Sequence, residues 1–163
     1  MITANRIKAL IPQEGIISTG DNHYFVLAEI FKRGGGIYHE VDKTILEDFP
    51  PESVTSNFIV RPYDLAEKRL ERIIRMDAEV SDIFIKLTIA DIHLICRDYR
   101  ERLNTGGQHG NFFWASNQEK LFQIAAYVTE KGIVLKKYEY NPYVLWCPGR
   151  RIFFRHNKFA PAN

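Results

Sequence analysis

The sequence predicts an α+β fold, with antiparallel strands at the N-terminus, about three central helices, and a β-hairpin with further strands at the C-terminus. Two observations predict it: apolar and aromatic runs broken by Gly and Pro turns lie at both ends, and patterns of helical period lie between them. Length and composition agree, because 163 residues that are 45% hydrophobic and 26% charged can bury a core. We therefore expect a single domain over residues 1–163.

The N-terminal section has the pattern of strands joined by turns. An aromatic and aliphatic run, His23–Phe31, is followed by the glycine-rich Lys32–Gly36 and by a returning strand at Ile37–Val41. Glycine suits this turn because it adopts the positive φ that tight hairpins need. The consecutive prolines Pro50–Pro51 end the section, and Asn57–Arg61 is one more predicted strand.

The first helix is predicted over Tyr63–Asp77. Pro62 precedes it, at a position where a missing N–H costs nothing. Acid-before-base pairs four residues apart support a solvated outer face. The inner face consists of apolar residues at the helical period, namely Tyr63, Ala66, Leu70, Ile73 and Ile74.

Ser81–Leu103 allows two interpretations. As one helix, it would be apolar almost all round and buried at the centre of the fold. As a strand followed by a helix, it would alternate over Ile83–Leu87 and begin a helix at Ile89. The second interpretation is favoured because Thr88 and Asp91 have the spacing of a capping box, in which each side chain accepts a hydrogen bond from the other residue's N–H.

The remaining chain is predicted as strand, helix and closing strands. Phe112–Ala115 is a short aromatic strand, and Ser116 with Glu119 has the spacing of another capping box. This box begins a predicted helix over Asn117–Lys131, which Gly132 ends at the position that glycine favours. Three closing strands follow, at Ile133–Tyr140, Tyr143–Trp146 and Ile152–Phe154.

Composition excludes several classes of protein. The two cysteines, Cys96 and Cys147, are too few for a disulfide framework and lack the CxxC spacing typical of zinc sites. No apolar run approaches the roughly 20 residues of a membrane span, and the first residues show no secretory signal. We therefore expect a cytoplasmic protein without membrane contact, and no metal or other cofactor is predicted.

The charge is distributed unevenly along the chain, although the net charge is only +2. Residues 132–163 hold six basic side chains and one acidic side chain, a local charge of +5. Residues 1–131 hold sixteen basic and nineteen acidic side chains, a local charge of −3. This asymmetry predicts that the C-terminal part meets an anionic partner, of which nucleic acid is the commonest.

The predicted function is therefore that of a small non-catalytic binding protein whose basic, aromatic C-terminal face contacts nucleic acid. Basic side chains hold phosphates, and exposed aromatic rings stack on unpaired bases. The turn at Pro148–Gly149 would present two arginines, and the glycine-rich turn near the N-terminus would add two more basic residues. The predicted nucleic-acid-binding residues are Lys32, Arg33, Lys136, Lys137, Trp146, Arg150, Arg151, Arg155 and Lys158.

Two other functions fit the same sequence. Tyr, Trp, Phe and Arg are enriched at interface hot spots, so the C-terminal face also suits a protein–protein interaction module such as an inhibitor, adaptor or assembly subunit. A weaker alternative is a small hydrolase or transferase that uses His109, His39 or Glu40, which would require a perturbed pKa inside a pocket. The sequence leaves open whether the C-terminal aromatic rings point to the core or to solvent.

Overall fold

The structure is a computed structural model. It describes residues 10–13, 16–17, 24–25, 36–48, 52–53, 59–80, 83–84, 86–105, 110–117 and 120–156. Three predicted features fall largely or wholly outside these ranges: most of the His23–Phe31 strand, most of the Lys32–Gly36 turn, and the Pro50–Pro51 boundary.

The described chain is dominated by one mixed β-sheet. Its main strands lie in the order β1 (Leu10–Pro12), β6 (Ile59–Leu65), β14 (Arg151–His156), β10 (Asn111–Asn117), β11 (Lys120–Thr129), β12 (Gly132–Glu139) and β4 (Tyr38–Val41). The pairs β14–β10 and β12–β4 are parallel, and the other neighbours in this order are antiparallel.

Short strands and helices complete the described fold. Within the sheet, β2 (Ile16–Ile17) pairs with β6, β8 (Ile83–Phe84) with β14, and β9 (Lys86–Leu87) with β10. Two small ribbons pair β7 (Arg69–Leu70) with β13 (Leu145–Trp146), and β3 (Tyr24–Phe25) with β5 (Glu52–Ser53). The described helices are α1 (Lys43–Asp48), α2 (Glu71–Val80) and α3 (Ile89–Asp98), and a 3-10 turn follows at Arg100–Arg102.

The predicted α+β arrangement with about three central helices between terminal strands is wrong. The described residues form a mixed sheet with seven strands in its main order and three short strands beside them, together with three short helices, and strand is the dominant secondary structure. The C-terminal strand β14 does not close a separate hairpin, because it lies inside the sheet between β6 and β10.

The predicted helix over Asn117–Lys131 is wrong, because this segment contains strand β11. Every residue of Phe122–Ala126 is buried, since both faces of the sheet are covered here. A strand buried on both faces loses the alternation of apolar and polar residues that identifies a strand. Gly132 does not end a helix, because it is the first residue of β12. Its φ is +134°, and a Cβ at this position would lie 2.9 Å from the carbonyl oxygen of Ile37.

The predicted helix over Tyr63–Asp77 is wrong in its first half. Strand β6 continues to Leu65, and α2 begins only at Glu71. Tyr63 and Leu65 are buried on one side of β6, two residues apart, as in a strand. Over this short stretch the apolar spacing fits both the helical period of 3.6 residues and the strand period of two. The segment forms a strand because β6 pairs with β14.

The strand-then-helix interpretation of Ser81–Leu103 is confirmed. Strands β8 and β9 precede α3, and the capping box forms as predicted. The Thr88 hydroxyl accepts from the Asp91 N–H at 3.0 Å, and the Asp91 carboxylate accepts from the Thr88 N–H at 3.0 Å. The strands predicted at Ile37–Val41 and Phe112–Ala115 are also present, as β4 and β10, and the three closing strands correspond to β12, β13 and β14.

Two apolar cores lie on opposite sides of the sheet. On the α1/α3 face, Ile45 and the inner residues of α3 pack on Phe113, Ile124 and Phe153. On the α2 face, Ile74 packs with sheet residues and with Trp146 of β13 in a second cluster. The C-terminal rings of Trp146, Phe153 and Phe154 are therefore core residues and not solvent-facing.

None of the helices in the described part of the chain is long and apolar enough to cross a membrane.

Candidate functional site

A cleft of about 420 Å³ opens on the α2 face, over strands β10 to β12. Its floor comes from these strands and its walls come from α2 and the segment 139–150. The floor residues are Phe112, Gln123, Tyr127 and Tyr138. The wall residues are Glu71, Glu139, Asn141, Val144, Trp146 and Arg150.

Strand register positions the floor of the cleft. Gln123 pairs with Trp114 on one side and with Tyr138 on the other, so these side chains form one row across the α2 face. The Tyr127 ring lies over Gly110, where a Cβ would meet its Cε1 atom at 2.6 Å. Glycine at position 110 thus makes the space that this floor residue needs.

The wall opposite the sheet is held in place by backbone hydrogen bonds to the first residues of α2. We call residues 141–146 the rim segment. The Glu71 N–H donates to the Val144 carbonyl at 2.9 Å, and the Arg72 N–H donates to the Pro142 carbonyl at 3.3 Å. The β7–β13 ribbon fixes the end of the segment. The helix N-terminus is therefore capped by the rim segment.

Arg150 presents its guanidinium group at the cleft while stacking on aromatic rings. Its Cζ atom lies 4.8 Å from the centre of the Phe112 ring and 5.0 Å from the centre of the Trp146 ring. Among the described residues, no carboxylate forms an ion pair with it. A stacked guanidinium keeps its N–H donors in the plane of the group, where a carboxylate can accept two of them.

Glu71 is a buried carboxyl group in the wall. It is 2% exposed, and its Oε1 accepts a hydrogen bond from the Trp114 indole at 3.3 Å. Burial raises the pKa of Glu71 to about 7, and the indole hydrogen bond and the charge of Arg150 oppose part of this shift. This carboxyl group therefore gains or loses its proton near neutral pH.

Gln123 brings an unpaired donor to the same space. It is 5% exposed, and its Nε2 atom has no hydrogen-bond partner among the described residues. Beside it, burial and a hydrogen bond with Tyr138 raise the pKa of Tyr127 to about 12, so this phenol stays neutral. Most buried polar groups in proteins are paired, so an unpaired amide in a cleft indicates a place for a ligand acceptor.

Comparison of this chain with protein-family models, with curated proteins and with solved structures found no match. The chemistry of the cleft itself is therefore the basis for a functional proposal.

The nine residues predicted to bind nucleic acid do not form one surface in the described structure. Lys32, Arg33 and Lys158 lie outside the described residues. Lys136 pairs with Ala125, which belongs to the core on the α2 face, so Lys136 lies on that face. Arg150 lies on the same face, because its guanidinium group stacks on Phe112 and Trp146. By alternation along β12 and β14, the other three basic residues lie on the opposite face, namely Lys137, Arg151 and Arg155.

Several of these side chains are already engaged within the protein. Arg151 forms a two-pronged ion pair with Asp64, at 2.7 and 3.1 Å. The Lys137 ammonium donates to the Thr44 carbonyl at 3.3 Å and lies 4.7 Å from the centre of the Phe122 ring. Trp146 is 1% exposed and stacks with Trp114, so its ring has no open face for a base.

The residues suggested for a hydrolase or transferase do not line the cleft. His39 and Glu40 are exposed on the short strand β4, and His109 lies outside the described residues. The perturbed carboxyl group of the cleft belongs to a different residue, Glu71. Within the described ranges, no group of three or more His, Cys, Asp and Glu side chains is arranged to hold a metal ion.

Of the residues that line the cleft, the sequence pointed to Arg150 and Trp146 as candidates, for nucleic acid, and did not point to Glu71, Gln123 or Tyr127. Gln123 falls within the predicted helix Asn117–Lys131, where the structure has strand β11, and Glu71 falls within the predicted helix Tyr63–Asp77, of which it is the first residue that is helical. One signal was available for Gln123, because it interrupts the apolar run Leu121–Val128. Nothing in the sequence around Glu71 distinguishes it from a surface residue.

Proposed function

We propose that the protein is a non-catalytic binding protein whose cleft takes a ligand through a carboxylate group. One observation carries this proposal: within the described part of the chain, no carboxylate forms an ion pair with the Arg150 guanidinium and the buried Gln123 Nε2 atom has no hydrogen-bond partner, and both groups line the same cleft. A carboxylate supplies two acceptor oxygens, and its hydrogen bonds to a guanidinium group are charge-assisted and geometrically matched.

The charges that line the cleft favour a carboxylate over a phosphate. Arg150 is the one cation among the described lining residues, whereas Glu71 and Glu139 both contribute carboxyl groups, of which Glu139 forms an ion pair with Lys120 at 2.7 Å. A phosphate dianion would meet two carboxylates above neutral pH. A carboxylate carries one charge that Arg150 balances, and below neutral pH the protonated Glu71 is a further donor.

A pair of small probes tests the proposal. We expect N-acetyl-L-leucine to bind in isothermal titration calorimetry and N-acetyl-L-leucinamide to bind about tenfold more weakly or worse, because only the acid carries the charge. Arg150→Gln should remove the difference between the probes. Lys136→Gln is the matched control, since it removes a positive charge from the same face without touching the cleft.

Equal binding of the acid and the amide would overturn the proposal. So would retention of the acid preference in Arg150→Gln. Gln123→Leu provides an independent arm: it should weaken binding of the acid while stabilising the ligand-free protein by about 1 kcal/mol, because it removes a buried unpaired donor.

A further inference from the structure

The buried carboxyl group of Glu71 lines the same cleft as the cation that would receive the ligand. Glu71 accepts hydrogen bonds from the Trp114 indole at 3.3 Å and from the Asn141 N–H. In the described part of the chain, no lysine or arginine forms an ion pair with it. When it is ionised, this group is therefore stabilised by neutral donors and by the charge of Arg150, which it does not contact in an ion pair.

Two stacked indoles connect Glu71 with Arg150. The Trp114 ring, which donates to Glu71, stacks on Trp146 with ring centres 5.6 Å apart. The Cζ atom of Arg150 lies 5.0 Å from the centre of the Trp146 ring. Both indoles are buried, so the charges of Glu71 and Arg150 interact through protein and not through water, where screening would be stronger. A carboxylate bound by Arg150 would be subject to the charge of Glu71 in the same way.

We propose that the cleft binds its carboxylate ligand together with one proton taken from the solvent, and that Glu71 carries this proton in the complex. This inference rests on the proposed function. Without the proton, two carboxylates would share one cleft with one lining guanidinium. Two carboxylates that share a site disfavour each other's ionisation, so one of them keeps a proton. Glu71 keeps it, because the ligand carboxylate is the one that Arg150 pairs with.

The other charges around Glu71 do not replace the proton. The charged groups on the neighbouring elements and on its own helix are Arg69 of β7, Arg72 and Arg75 of α2, Lys136 and Glu139 of β12, and Arg150 after the rim segment. Arg69 forms an ion pair with Glu67 at 2.9 Å, and the Arg75 guanidinium lies 5.3 Å from the centre of the Tyr140 ring. Arg150 is the charge that lowers the pKa of Glu71, and a bound carboxylate would neutralise it.

Glu71 is also suited to take up a proton near neutral pH. Burial raises its pKa to about 7, and the ligand charge would raise the pKa of Glu71 further in the complex. Two other lining groups do not change charge there. The ion pair with Lys120 holds the pKa of Glu139 below its ordinary value, and burial raises the pKa of Tyr127 to about 12.

Calorimetric titration of the full chain with N-acetyl-L-leucine tests the inference. The carboxyl group of this probe has a pKa of about 3.5, so the probe carries the same charge at about pH 6 and at about pH 8. We expect the dissociation constant to be about tenfold larger at the higher pH, where Glu71 must first take up a proton. Titrations at about pH 8 in Tris and in triethanolamine, which differ in ionisation enthalpy, should show uptake of about one proton per bound probe.

Two variants locate the titrating group. Glu71→Gln should bring the ratio of the two dissociation constants from about tenfold to about one and should abolish proton uptake, because glutamine is neutral at both pH values. Glu139→Gln is the matched control, since it removes the other carboxyl group of the lining. This control should keep both the ratio and the proton uptake.

The outcomes distinguish the inference from the proposed function. Equal dissociation constants at the two pH values, without proton uptake, would overturn the inference and leave the cleft a carboxylate site. Retention of the tenfold ratio in Glu71→Gln, or its loss in Glu139→Gln, would also overturn the inference, because a different group would then titrate. Absence of N-acetyl-L-leucine binding at about pH 6 would overturn both proposals.

Discussion

Glu71 is the residue whose charge is most sensitive to pH near neutrality in the described part of the cleft. Burial raises its pKa to about 7, above the ordinary value of 4.5, although Trp114 donates a hydrogen bond to it. A carboxyl group with a raised pKa favours the folded state when it is protonated. Its contribution to the free energy of unfolding is complete below about pH 4.5 and is lost as the pH rises through about 7.

Glu71→Gln is expected to remove this pH dependence. The glutamine oxygen still accepts from the Trp114 indole, but the side chain carries no charge to bury. The variant should exceed the natural protein in free energy of unfolding at about pH 8 by on the order of 1–3 kcal/mol, and by little at about pH 5. Urea unfolding at both pH values measures the difference. Parallel pH profiles of the two proteins would show that the pKa of Glu71 is ordinary.

At the scale of the element, α3 carries an uncharged histidine in its buried face. The His93 imidazole Nδ1 and the Tyr38 hydroxyl of β4 form a hydrogen bond at 2.7 Å. Burial lowers the pKa of His93 to about 4, the charge of Arg97 lowers it further, and Asp98 opposes the shift. A histidine with a lowered pKa stabilises the folded protein above its ordinary pKa of 6.5, and the contribution is lost as the pH falls towards 4.

An NMR pH titration of the histidine ring protons measures the pKa of His93 directly. We expect the His93 ring protons to keep the chemical shifts of the neutral imidazole until about pH 5. His93→Gln should lose less stability than the natural protein between about pH 7 and about pH 4.5. Titration of His93 near 6.5 would contradict the buried position of this ring.

Strand β11 shows why local sequence signals can predict the wrong secondary structure for an element. Ser116 and Glu119 have the spacing of a helix cap, and Leu121, Ile124, Ala125 and Val128 have the helical period. The segment is nevertheless paired on both sides, with β10 and β12. Long-range pairing and burial on both faces outweigh a local preference that is worth only a few tenths of a kcal/mol per residue.

At the scale of the whole molecule, the C-terminal charge is divided between two faces of the sheet. The nucleic-acid hypothesis stays a prediction, and the dispersed basic side chains lead us to expect weak binding. Fluorescence anisotropy with labelled single-stranded and duplex DNA should show binding at about 50 mM salt that is lost at about 200 mM. Tight binding that persists at the higher salt, and that falls when Arg150 and Arg151 are both replaced by Ala, would instead support a nucleic-acid function.

Local chemistry was readable without the structure. The capping box at Thr88 and Asp91, the choice of strand then helix around it, and the strand at Ile133–Tyr140 all depend on residues close together in the chain. These signals held because the tertiary structure agrees with them, unlike the helix-cap spacing at Ser116, which the pairing of β11 overrides. The expectation that Arg150 contacts an anion came from its charge and its place after the Pro148–Gly149 turn, and it stays a prediction.

The cleft and the sheet order were decided only by tertiary structure. Glu71, Gln123 and Arg150 are far apart in sequence, and they line one cleft because β11 lies in the sheet, the rim segment packs on α2, and β14 inserts between β6 and β10. The burial of Phe153 and Phe154 on opposite faces follows from the same insertion, because a central strand has cores on both faces. No local pattern encodes burial on two sides, so the sequence alone determined only locally specified elements such as the capped helix α3, whereas the tertiary structure decided β11 and the cleft.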